Sequence, residues 1–225
     1  ARPPVADDRA GVRHTRGEEI VMSTPTNTVP SRKLSIEDIL DLRAYERVRA
    51  ESRAEVIELK KLRRISLGPV VTLMFENRVT MRSQIHEMIR AEKVMRDEQV
   101  MEELHAYNPL IPEAGQLSAT LFIELVTEDE MREWLPKLVN IESSIVVRLS
   151  DGSEVRSITE EAHAEQLTRD YVTAAVHYVR FEFTPEQVEK FAAGGAQIAC
   201  DHPAYQQSVS LQSSTVTELL NDLRA

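Results

Sequence analysis

Cys200, Asp201 and His202 stand in succession, and thiol, carboxylate and imidazole are all ligands for transition metals. Neighbours on a strand point to opposite faces, so the trio is not ligand spacing by itself. A metal site built on it needs His177 or a glutamate from elsewhere. His177 shares an apolar stripe with Ala175, Val179, Phe181 and Phe183, which suits a hydrogen-bonded core histidine as well as a ligand. Glu102-Glu103-Leu104-His105 contains a Glu-x-x-His, the motif that supplies two ligands from one helix in di-iron bundles. Those sites use the motif twice, with two further glutamates on facing helices; the other Glu-x-x-His of this chain, Glu160-Glu161-Ala162-His163, lies in the polar stretch 160–170. His177, Cys200, Asp201 and His202 are therefore the candidates for a bound metal ion, in a metal-dependent oxidoreductase or hydrolase. No other cofactor is called for.

A second polar set has no metal spacing. Glu76, Asn77, Arg78, Gln84, Glu87 and Arg90 gather where a strand gives way to a helix, and Tyr107 and Asn108 stand at that helix's exit. If buried, this set is a hydrogen-bond network or a ligand pocket; if exposed, it is a solvated face. The basic run Lys60, Lys61, Arg63, Arg64 complements a helix C-terminus or forms a small anion patch. Phe122 and Tyr178 fall opposite the apolar stripes of their strands, as in RNA-binding modules that stack bases on an open sheet face. Against that reading stand a formal net charge of −10 and the missing Lys/Arg-Gly start of the RNA motif. The chain has no P-loop, Gly-x-Gly-x-x-Gly, Gly-x-Ser-x-Gly, His-Glu-x-x-His or Cys-x-x-Cys.

The elements that must position these residues follow from periodicity. A strand is predicted over 70–75, entered through Gly68-Pro69, then Thr80 as the N-cap of one long helix from 81 to about 104. Such a helix is roughly 35–40 Å long. Met81, Met88 and Met95 fall seven apart, a seam that packs within the domain or forms a homodimer and continues to Met101. Met81, Ile85, Met88 and Met95 are expected to be buried, and Arg82, Lys93 and Arg96 exposed. Before this helix, a short helix over 36–42 and a second ending at Ile65 are predicted. After it come a strand at 117–125, a helix capped by Thr127, and a strand at 145–149. Asp151-Gly152 then turns into 155–158. A polar stretch at 160–170, a strand at 174–183, a helix begun by Thr184-Pro185 and a strand at 196–200 follow. A turn at 201–203, a strand at 206–211 and a final helix from Ser213 or Ser214 complete the chain.

This order is β-α-β, hairpin, β-α-β. The predicted class is α+β, with a helical N-terminal third packed on a ferredoxin-like, split-βαβ antiparallel or mixed sheet. Residues 1–33, rich in Pro, Thr and Arg, read as a disordered tail in which Met22 is an alternative start. Residues 34–225 read as a single domain, 34–112 helical and 113–225 carrying the sheet. With 42% hydrophobic and 28% charged residues, one cysteine, no spanning apolar run and no secretory signal, the chain is expected to be cytoplasmic, without membrane contact.

The phrases LGPVVTLMFENRVTMRSQIHEMIR, EELHAYNPLIP, AVHYVRFEFTPEQ and DHPAY, in this order, resemble the bacterial domain-of-unknown-function family DUF3501 over residues 34–223. Where that family continues with Asp-Gly after the exit-loop proline, this chain has Pro112-Glu113-Ala114-Gly115. The resemblance implies a bacterial cytoplasmic protein often encoded beside rubrerythrin-like and iron–sulfur oxidoreductase proteins, and it brings no activity or site residues. The expected function is a non-catalytic accessory protein of a redox or oxidative-stress system, with such a protein as partner. The alternatives are the metal enzyme and the RNA-binding module.

Overall fold

The computed structural model describes residues 32–159 and 172–224. The tail expected over 1–31 and the polar stretch 160–170 lie outside the described residues. Arg32 and Lys33, assigned to the tail with them, are tied down: Arg32 donates to the Asp222 carbonyl at 2.9 Å, and Lys33 pairs with Glu113 at 3.0 Å.

A single 3₁₀ turn, Ile36–Asp38, precedes α1 (Leu42–Arg63), whose N-cap Asp41 accepts from the Ala44 amide at 2.8 Å. At 22 residues α1 is the longest described helix. It stops sooner than predicted because β1 (Arg64–Leu67) follows at once and turns back through Gly68 into β2 (Val71–Glu76). Gly68 has φ +75°, and a Cβ there would stand 2.6 Å from the Tyr205 hydroxyl, so the turn needs glycine twice over. α2 (Arg78–Glu92) is capped by Asn77 rather than Thr80. The Asn77 side chain accepts from the Val79 and Thr80 amides, each at 3.0 Å, while the Thr80 hydroxyl accepts from the Asn77 amide at 2.9 Å. Asn77→Ala is expected to cost about 1 kcal/mol and Asn77→Asp far less, as read by urea unfolding.

The predicted long helix is two helices. α2 closes on Lys93, which takes the left-handed conformation (φ 55°), and Val94 donates to the Ile89 carbonyl at 2.9 Å while burying its side chain. α3 (Asp97–Tyr107) begins after a short connection, with Asp97 and Glu98 at its positive end. Met81 and Ile85 are buried and Arg82, Lys93 and Arg96 exposed, as expected, whereas Met88 is only half-buried. Met95, however, lies in the connection and is 86% exposed, and Met101 is exposed on α3. The seven-residue spacing therefore makes no continuous seam.

The remaining elements are β3 (Gln116–Ile123), α4 (Glu128–Trp134), β4 (Ile145–Arg148), β5 (Glu154–Arg156), β6 (Ile158–Thr159), β7 (Val176–Glu182), α5 (Pro185–Ala192), β8 (Gln197–His202), β9 (Tyr205–Ser210) and α6 (Ser213–Arg224). The fold is α+β, but its strands form two antiparallel sheets, β1-β2-β3-β7-β6 and β5-β4-β8-β9. This corrects the single ferredoxin-like sheet. The chain leaving the Asp151-Gly152 hairpin changes sheet at Ser157: β5 stays beside β4, and β6 pairs with β7. Asp201 and His202, read as a turn, continue β8.

Alternation along the strands gives each sheet an apolar face, and the two faces meet. Leu73, Phe75, Leu121 and Phe181 of the first sheet share a core with Ile145, Val147 and Ile198 of the second, closed by Phe191 of α5 and Leu219 of α6. The opposite face of the first sheet lies under a helical layer with its own small core, Met81, Ile85, Ile89 and Leu104. Among the described residues no helix is long and apolar enough to cross a membrane.

Candidate functional site

Glu76 ends a strand in which all six residues are buried. Alternation sends Phe75 into the inter-sheet core and Glu76 to the helix-covered side. Its side chain is held by two hydroxyl donors, Thr80 to Oε2 at 2.6 Å and Thr120 to Oε1 at 2.8 Å. Thr80 comes from the first turn of α2, and Thr120 from β3, where it lies opposite both Met74 and Tyr178. Glu76 is only 6% exposed, and no basic side chain pairs with it among the described residues.

A cleft of about 260 Å³ opens beside this carboxyl group. Met74, Thr120, Phe122, Val176 and Tyr178 of the first sheet form one wall. Met81 and Gln84 of α2, with Tyr107 and Leu110, form the other, and Lys60 and Arg64 reach in from the end of α1 and start of β1. Burial pushes the Tyr178 phenol up, helped by Tyr107 and Glu76, so it stays protonated at neutral pH. Arg64 pairs with Glu124, and its guanidinium lies 5.6 Å from the centre of the Phe122 ring. Lys60 is half-buried and has no ion pair among the described residues.

A family model for a protein of unknown function, DUF3501, matches residues 33–223. The chain belongs to the DUF3501 family. Its fold is similar to the crystal structure of a novel protein of unknown function from Burkholderia pseudomallei K96243, at 38% identity and a TM-score of 0.78. That similarity covers 85% of this chain and 99% of the other. Among curated proteins none matches the chain.

Of the eight polar residues singled out in this DUF3501 chain, the cleft gathers Glu76, Gln84 and Tyr107. The other five are ties. Asn77 caps α2, and Arg78 pairs with Asp38 at 2.6 Å. Asn108 clamps the backbone of Leu34 through two hydrogen bonds of 2.8 Å. Arg90 meets Glu46 at 2.7 Å. Glu87 accepts from the Tyr45 hydroxyl at 2.7 Å and from the Arg49 fork at 2.8 and 2.9 Å, hydrogen bonds that bring its carboxyl down to about 2. Next to it, His86 is buried with its ring stacked on Tyr45, and its Nε2 accepts from the Leu40 amide at 2.9 Å. Burial lowers this imidazole to about 4, with Arg82 adding to the effect. Sequence reading missed Thr120 as a site residue, knew Lys60 only as part of a basic run and knew Tyr178 only as an aromatic. Strand register brings the first and last of these to Glu76.

The metal candidates do not come together. His177 is in the first sheet, with Nε2 at 2.8 Å from the Thr173 hydroxyl and 2.9 Å from the Ala174 carbonyl. Its Nδ1 is 3.8 Å from the buried Glu142 carboxyl, and burial holds its protonation down. Cys200, in the second sheet, is buried, which raises its thiol. Asp201 points the other way and accepts from both arms of Arg156, at 3.0 and 2.5 Å. His202 accepts from the Ala204 amide at Nδ1 (3.2 Å), so its Nε2 donates to the Val139 carbonyl at 3.0 Å. Both its ring nitrogens are engaged. Among the described residues no group of three or more His, Cys, Asp or Glu is placed to hold a metal ion. Glu102 and His105 are exposed on α3. Phe122 and Tyr178 sit in the cleft under the helices, not on the open platform an RNA-binding sheet needs. A largely apolar hollow of about 450 Å³ between Ile39, Leu42, Ile89 and Val100 also has Asp41, Arg43, Glu46 and Asp97 on its lining, of which Asp41 caps α1 and Glu46 pairs with Arg90.

Proposed function

We propose that this DUF3501 protein is a non-catalytic cytoplasmic accessory protein that works by holding one small molecule in the cleft beside Glu76. The observation that supports this is a carboxyl group more than nine-tenths buried, met by only two hydroxyls, on the wall of an accessible cleft. Burying a polar group is costly unless its partners are complete, and functional pockets are apolar clefts with a few such groups converging. A rubrerythrin-like or iron–sulfur protein is the partner that the family resemblance supports.

Gln84 is half-buried on the cleft wall, so Gln84→Trp is expected to fill the space while leaving the fold intact. Full-length protein purified from its native host is expected to release a small molecule on denaturation, identified by mass spectrometry and absent from Gln84→Trp of unchanged melting temperature. The same released compounds from both proteins, or none from either, would overturn the reading.

A further inference from the structure

We infer that the ligand is a small zwitterion, an amine or quaternary ammonium joined to a carboxylate, with its nitrogen beside Glu76 and its carboxylate at Lys60. This rests on the binding reading above and adds the ligand's charge pattern.

The cation comes from the state of Glu76. Buried carboxylates are held by a cation, a metal or a full set of donors, and here each oxygen has one hydroxyl. The guanidinium that reaches the Glu76 backbone does not serve. Arg63 donates to the Glu76 backbone carbonyl at 3.1 Å, and its remaining arms are occupied by Glu218, Asp222 and the Phe75 carbonyl. A metal ion fits poorly, because among the described residues Glu76 is the one carboxyl lining the cleft, and the other candidate donors are hydroxyls, a single amide (Gln84) and the soft thioethers of Met74 and Met81. An organic nitrogen cation fits well. Tyr107, Phe122 and Tyr178 line the same space, and aromatic rings attract such cations, most strongly away from water.

The second charge comes from Lys60 on the lining of the same cleft. Glu76 is buried and Lys60 only half-buried, so the lysine is the outer group. Among the described residues Arg64 is already satisfied by Glu124 and Phe122, which leaves Lys60 as the spare cation and Glu76 as the spare anion. A lone anion would have to settle against Glu76, and a lone cation would leave Lys60 unanswered. At about 260 Å³ the cleft is smaller than the ~300–1,000 Å³ typical of drug-sized ligands, which suits an amino acid or betaine and excludes a nucleotide.

Calorimetry on the full chain with glycine betaine and γ-aminobutyrate tests this, with tetramethylammonium and acetate as the separate halves. A zwitterion is expected to bind more tightly than either half. Glu76→Gln is expected to weaken it by roughly tenfold or more, with melting temperature unchanged or raised. Lys60→Met is expected to weaken the zwitterion and leave tetramethylammonium unaffected. Acetate bound more tightly than either zwitterion, or zwitterion binding indifferent to both substitutions, would overturn the inference. If no probe binds, the compound released from native protein decides. A zwitterion lost in Gln84→Trp supports the assignment. A neutral or anionic compound lost in Gln84→Trp overturns it and leaves the binding reading standing, and no such compound removes both.

Discussion

Arg63→Ala is expected to lower the free energy of unfolding by about 3–5 kcal/mol, the largest loss from any single substitution considered. Arg63 is fully buried, and its guanidinium joins three parts of the fold. Nε donates to the Phe75 carbonyl at 2.9 Å, one terminal nitrogen to Glu218 at 2.8 Å, and the other to the Glu76 carbonyl and to Asp222. Burial pushes the Asp222 carboxyl up, and the nearby Arg63 charge pulls it back. Removing the guanidinium leaves a buried acid, two bare carbonyls and a void, each costly alone. Arg63→Lys keeps the charge but not the fork, and is expected to recover only part of the loss. Guanidinium chloride unfolding measures both; a loss below about 1 kcal/mol for Arg63→Ala would show that α6 is held mainly by its apolar face.

Acid is expected to weaken the fold through His86 before it reaches the carboxylates. The imidazole titrates at 6.5 when exposed and at about 4 in the fold. Between those values the unfolded chain binds a proton that the native state refuses, so stability is complete above pH 6.5 and falls as pH drops towards 4. The full loss is about 3 kcal/mol. It has a structural cause: protonated Nε2 can no longer accept from Leu40, and a charge is placed beside Tyr45 and near Arg82. Glu87, held at about 2, loses its contribution lower, from about 4.5 down. His177 is lowered too and works in the same direction as His86, so the measurement must be a difference. Stability against pH is expected to fall more steeply in the native sequence than in His86→Gln, by about 3 kcal/mol between pH 6.5 and 4. Parallel curves would mean that His86 takes up its proton as readily in the fold as in the unfolded chain.

What could be read from the sequence was what is settled locally. Thr184-Pro185 and Gly194-Gly195 bracket α5 because capping and the left-handed exit need nothing beyond the helix ends. Asp151-Gly152 makes its hairpin for a similar reason, and the α+β class follows from the mix of periods. The end of α2 could not be read, because Lys93 takes a conformation that glycine or asparagine usually marks, and buried Val94 is what holds it there. Nor could the exchange of sheets at Ser157, since alternation fits either partner. For the site, Glu76 was visible as an acid ending an apolar strand, with Gln84 and Tyr107 near it. Thr120 joins them only through the register of β2 with β3, which no local pattern specifies. The Cys200-Asp201-His202 trio failed as a metal site because adjacency in a strand separates side chains.

The Arg63 junction also gives the fold a timetable. Glu218 and Asp222 are translated 155 and 159 residues after the arginine they neutralise. A growing chain therefore completes α1 and the strand bearing Glu76 long before their shared cation meets its acids. Contacts so distant in sequence carry a large closure cost and form late. The carbonyl of Glu76 shares that guanidinium with Asp222, so the cleft beside Glu76 is expected to become rigid only when residues near 222 have docked. Under the binding role proposed above, competence to bind would report that the later half of the protein has been made and correctly placed.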